Sequence, residues 1–166
     1  MAIFSLKDKE GWKNGSKILL LAGLLWSVFS FRLYANDIIV TVDRFTDIEN
    51  KAPVRFSICN GNECHKKKDE GYAEIEAHLI EQKEYFRRYK IQNIAPGEYS
   101  LSAYHDLNNN GKLDRSAVLG IPKEPIGFSA LDIPKMQRYP KWDEIKFEVR
   151  KQETSVNVHL IHRFGL

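Results

Sequence analysis

The chain has 166 residues and is short of several things, each of which removes a class of protein. It has two cysteines, Cys59 and Cys64. With only His65 beside them they are too few for a metal centre, and their spacing is not the C-x-x-C of a redox pair. No apolar run reaches the roughly 20 residues that span a bilayer comfortably. The longest, ILLLAGLLWSVFSF at residues 18–31, stops short of that, so polytopic membrane architecture is excluded. There is no H-E-x-x-H or H-x-H among the five histidines. The one Gly-x-Ser, Gly127-Phe128-Ser129, lacks the second glycine of a nucleophile elbow. Charge of one sign is missing too. Five of the 25 Lys and Arg and two of the 22 Asp and Glu lie in the first 35 residues, which leaves 20 of each in the rest. The remaining chain gives no electrostatic case for a nucleic-acid partner. Lys66-Lys67-Lys68 runs straight into Asp69-Glu70 and reads as a solvated loop.

What is present begins with an address. Lys13 and Lys17 precede the apolar run, and Arg32-Leu33-Tyr34-Ala35 follows it. A basic start, a short apolar stretch and a small residue at the end predict a signal peptide over residues 1–35, with a periplasmic or secreted chain from residue 36 to 166. Arg32 and the bulky Leu33 leave an uncleaved signal anchor as the alternative, and membrane contact is expected only through this segment. In an oxidising compartment Cys59 and Cys64, around the turn-rich Asn60-Gly61-Asn62-Glu63, predict a disulfide across a hairpin end.

After residue 36 the hydrophobic period is two. Asp37 to Phe45 is rich in β-branched residues, and Val54, Phe56 and Ile58 alternate with Arg55 and Ser57. Tyr85, Arg87, Tyr89 and Ile91 alternate with Phe86, Arg88 and Lys90. Tyr99, Leu101, Ala103 and His105 share a face beyond the turn Ala95-Pro96-Gly97, and Ile145, Phe147, Val149 and then Val156, Val158, Leu160 give two more strands. Residues 73–85 allow a short helix or a strand followed by a loop. Residues 120–142 hold four of the six prolines and read as a long irregular connection. The fold class this predicts is all-β, an antiparallel β-sandwich with long loops, in one domain. Tyr139-Pro140-Lys141-Trp142 offers either an aromatic platform for a sugar or packing beneath the long connection.

One stretch stands above the rest. Residues 106–114 read Asp-Leu-Asn-Asn-Asn-Gly-Lys-Leu-Asp, with oxygen-bearing side chains at relative positions 1, 3, 5 and 9 and glycine at 6. Hard oxygen ligands at that spacing, with a glycine for the bend, match the first nine places of a calcium loop. Asp106, Asn108 and Asn110 would ligate through side chains, Lys112 through its carbonyl, and Asp114 directly or through water. Position 12, a bidentate Glu in an EF-hand, is Ala117 here, and the nearest replacement carboxylate is Glu124. Because a strand rather than a helix leads in, a helix–loop–helix hand is not expected. The competing reading gives the Asn and Asp residues to turns alone. Bound calcium would act as a structural clamp of about 10⁻⁴–10⁻³ M affinity.

At these residues the chain resembles an uncharacterised bacterial exported family, catalogued as domain of unknown function twenty-one forty-one. The resemblance rests on Gly97-Glu98-Tyr99, on Tyr104-His105-Asp106 with Asn108, Asn110, Gly111, Leu113 and Asp114, and on Gly120-Ile121-Pro122-x-Glu124 followed by Gly127-Phe128-Ser129. It implies an immunoglobulin-like or prealbumin-like sandwich in the bacterial envelope and no established activity. The sequence therefore predicts a calcium-stabilised, non-enzymatic module that binds a protein or glycan partner or serves an accessory role. The alternative is a metal-dependent envelope hydrolase or transferase at the 106–114 loop, with His105 beside Asp106.

Overall fold

The computed structural model describes residues 36–67, 71–150 and 152–164. The export segment expected at residues 1–35 and Lys68 of the lysine run lie outside them. Nine strands and two short helices follow in the order β1 (Asn36–Asp43), β2 (Val54–Asn60), α1 (Asn62–Lys66), β3 (Ala73–Ile75), β4 (His78–Gln82), β5 (Phe86–Ile94), β6 (Gly97–His105), β7 (Ile126–Phe128), α2 (Trp142–Ile145), β8 (Phe147–Val149) and β9 (Glu153–His159).

They form two packed sheets, as a sandwich requires. The first has the order β4-β5-β1-β9; the second has β3-β2-β6-β7, with β8 continuing the edge of β6 beyond β7. β1 shows why the strands form where they do. Asn36, Ile38, Val40 and Val42 point inward while the residues between them are half-buried, so each β-branched side chain lies on a pleated, packed face. β1 is antiparallel to β5 and parallel to β9, so one pairing in the sandwich departs from the antiparallel pattern. That pairing joins the first and last strands of the described chain, and the rest of the fold serves as the crossover between them.

Between the sheets lies the main core, which includes Ile38, Val40, Val42, Phe56, Ile91, Leu101, Val149 and Val158. Cutting one of these to alanine costs about 2–5 kcal/mol. A second apolar cluster, centred on Ile126, Phe128 and Ile145, sits apart from it, with Tyr104 and Leu113 packed alongside. It covers the outer face of the second sheet with the long connection after β6. Within that connection β7 comes so close to β9 that a Cβ on Gly127 would lie 2.6 Å from Val158 Cγ1 and 2.7 Å from the His159 carbonyl oxygen. Glycine is required there by contact, not by a turn.

Some local expectations resolve differently. Residues 73–85 are two short strands, β3 and β4, that pass from one sheet to the other. Ile145 ends α2 rather than opening β8. Cys59 and Cys64 do form a disulfide, with Cα atoms 5.8 Å apart. It joins the end of β2 to α1 instead of closing a hairpin, because residues 62–66 turn into a helix.

Candidate functional site: the 106–114 loop

The loop leaves the end of β6 where Asp106 is completely buried and its N–H donates to the Pro53 carbonyl at 2.9 Å. Its bend places Asn109 at φ 55° and Gly111 at φ 76°, left-handed values that asparagine and glycine tolerate best. The Asp106 carboxylate is the hub. Oδ1 accepts the Asn110 N–H at 3.0 Å, and Oδ2 accepts the Gly111 N–H at 2.9 Å and Arg55 Nε–H at 3.1 Å. Burial alone would raise this carboxyl, but the two backbone donors and the guanidinium outweigh it and hold it below its usual range.

The other expected residues gather around it. Asn108 Oδ1 accepts the Asn110 N–H at 3.2 Å, and Asn110 Oδ1 accepts the Lys112 N–H at 2.8 Å. The amide groups of Asn108 and Asn110 both donate to Asp114, at 2.8 and 3.1 Å. Glu124, ten residues on and almost fully buried, closes the loop. Oε1 accepts the Leu107 N–H at 2.9 Å and Oε2 the Asp114 N–H at 3.0 Å. Asp106, Asn108, Asn110, Asp114 and Glu124 thus form one knot, while Lys112 enters it through its N–H and Ala117 is exposed on the far part of the connection.

The donor set is hard and oxygen-rich, which suits calcium in kind. In this arrangement, however, the carboxylates are turned onto N–H groups. Among the described residues no three His, Cys, Asp or Glu side chains are gathered as metal ligands. A bound cation would have to replace the two amide contacts on Asp114.

His105 does not serve this loop. Its ring is buried on the core face of β6, edge-on to Phe45 with centroids 5.2 Å apart, and neither nitrogen has a hydrogen-bond partner among the described residues. Burial, then the nearby Arg87 guanidinium, hold its pKa below the ordinary value against the opposing pull of the Ala52 carbonyl and Asp106. The base that a hydrolase would need beside Asp106 is therefore turned the other way.

A family model described as "Uncharacterized protein conserved in bacteria (DUF2141)" matches residues 40–157. The chain belongs to this family. The match takes in the whole 106–114 loop, Glu124 and the disulfide, and includes all or part of every strand described above. No curated protein and no solved structure gives a significant match. Membership supports the resemblance read from the motifs and brings no activity with it. Among the described residues no helix is long and apolar enough to cross a membrane.

Two features of the region were not legible in the sequence. Alternation marked Arg55 as outward-facing but not as the partner of Asp106, because 51 residues separate them. His65 alone beside the two cysteines is too little for a metal. It is instead the bracket of the disulfide-linked helix: Nε2–H donates to the Pro140 carbonyl at 3.0 Å, which leaves Nδ1 to accept from the Tyr72 hydroxyl at 3.0 Å. Trp142 and Tyr139 pack around His65, so Tyr139-Pro140-Lys141-Trp142 serves packing.

Proposed function

We propose that the chain is an exported β-sandwich module of the bacterial envelope, working by binding or as an accessory part, whose 106–114 loop takes calcium as a structural clamp. The carrying observation is Glu124. The loop lacks a carboxylate at Ala117, and a buried one from ten residues beyond Asp114 reaches the same knot and spans it from Leu107 to Asp114. Five oxygen-bearing side chains then belong to one knot, and a hard cation would take them over from the N–H groups that they now accept. The Cys59–Cys64 disulfide and the basic-then-apolar N-terminal pattern support export. Calcium here would fix the long connection to the strand end.

Calorimetric titration with calcium, paired with thermal unfolding, tests this. With Kd about 1 mM, calcium at ten times that concentration stabilises by about 1.4 kcal/mol and raises Tm by a few degrees. Asp114→Ala abolishes the response, and because Asp114 is not buried the variant still folds. No heat and no rise in Tm at millimolar calcium would sink the clamp.

A further inference from the structure

We propose that the outer face of the second sheet holds a saccharide site, a cleft of about 290 Å³ with a floor set by strand register and walls set by the loop and by Tyr72. This rests on the binding-module reading and names its ligand class.

The floor follows from alternation. Leu101, Ala103 and His105 of β6 face the core, so Ser102 and Tyr104 face outward. Ser57, Ser102 and Phe128 are cross-strand neighbours on β2, β6 and β7, and Tyr104 stands beside Ile126 in the next row. Two hydroxyls, a phenol and two apolar side chains thus share one face at cross-strand spacing of about 5 Å. The walls are braced. Tyr72 donates to His65, and its oxygen pairs with the Ser100 hydroxyl at 2.6 Å. Opposite, Arg115 bonds the Gly120 carbonyl at 3.0 Å, and the Lys123 N–H donates to the Asp114 carbonyl at 2.8 Å. A ligand entering here orders little protein, which favours binding.

The lining selects the chemistry. A cleft near the lower end of the roughly 300–1,000 Å³ range suits one ring. Arg115 is the one charged side chain among the lining residues, so a phosphorylated ligand would find too few cations. A wholly apolar ligand would strip water from the Ser57 and Ser102 hydroxyls and leave both unpaired, which disfavours it. A neutral pyranose meets both demands. Its C–H face lies against the half-buried Tyr104 ring, beneath which Phe128 is already packed, while its hydroxyls pair with Ser57, Ser102 and Arg115. Burial raises the Tyr104 pKa, helped by the carboxylates around it, and the phenol keeps its proton for donation. Two larger hollows of about 350 and 420 Å³ flank Arg44, but that guanidinium is already held by Asp132 at 2.5 Å.

Saturation-transfer NMR on the purified protein with glucose, galactose, mannose and N-acetylglucosamine, with and without calcium, decides the matter. At least one sugar should show Kd of about 1 mM, with saturation concentrated on one ring face. Tyr104→Ala should weaken it tenfold or more. Ser57→Ala and Ser102→Ala should each weaken it severalfold and leave thermal unfolding within a few degrees. Absence of saturation with all four sugars overturns the site, as does binding that both serine variants leave unchanged. The calcium response is read separately, so a protein that binds calcium and no sugar loses this site and keeps its clamp.

Discussion

Arg55 and Asp106 join the middle of the second sheet to the start of the long connection, with Nε donating to a completely buried carboxylate at 3.1 Å. The same guanidinium donates to Asn109 Oδ1 at 3.3 Å, so one side chain holds two points of the loop. Arg55→Ala leaves Asp106 buried with only its backbone donors. Because Arg55 is itself one-third exposed, water can partly replace it, and the expected loss is about 1–3 kcal/mol rather than the full cost of stranding a buried charge. Urea unfolding checks the value, and a change below about 0.5 kcal/mol would show that the pair is a surface contact.

Glu124 gives a sharper test, because its two oxygens serve two different amides. Glu124→Ala strands the Leu107 and Asp114 N–H groups and should cost about 2–4 kcal/mol. Glu124→Gln keeps one acceptor and sets an NH₂ against the other N–H. Hydrogen exchange should then speed up at one of Leu107 and Asp114 and stay slow at the other. Equal protection at both amides in the Gln variant would mean that the loop does not hang on this side chain.

How much of this the sequence displays follows from burial. β1, β2, β5, β6 and β9 each put one face into the core, so a period of two marks them. β7 is buried at all three of its residues, and with proline before it and glycine within it there is no alternation to read. The loop knot was legible because its oxygen-bearing residues are neighbours in sequence, and Glu124 because it is the nearest carboxylate after Asp114. Arg55 and the Ser57–Ser102–Phe128 row needed strand register, which one-dimensional spacing does not contain.

Gly127 marks the place where β7 meets β9. Gly127→Ala drives a methyl group into Val158 and the His159 carbonyl, and overpacking of this kind costs about 1–3 kcal/mol. Adding Val158→Ala removes the Cγ1 contact and leaves the carbonyl. The double variant should therefore lose less than the sum of the two single changes. Simple additivity in a double-mutant cycle would show that the two strands are free to move apart.

The buried His105 predicts an acid-sensitive core. Its folded pKa lies below the ordinary histidine value of about 6.5, so the unfolded chain binds the proton more readily. Its contribution is whole above about pH 6.5 and is lost as pH falls from there through the folded pKa. The charged groups that bear on the ring are Arg87 from β5, His162 after β9 and Asp106 at the end of its own strand. Arg87 is itself anchored by the Ala52 carbonyl at 3.0 Å and the Ile48 carbonyl at 2.9 Å, so it stays close when the ring gains charge. His105→Leu removes both the titration and two ring nitrogens that have no well-formed hydrogen bond among the described residues. Thermal unfolding at about pH 7.5 and about pH 5 should show the native chain losing stability in the acid sample and the variant losing clearly less. The variant should be no less stable than the native chain at the higher pH, since a buried polar group without partners is a cost and not a support. An equal drop in both proteins would place the acid sensitivity elsewhere, on carboxylates such as Asp106 or on the other histidines.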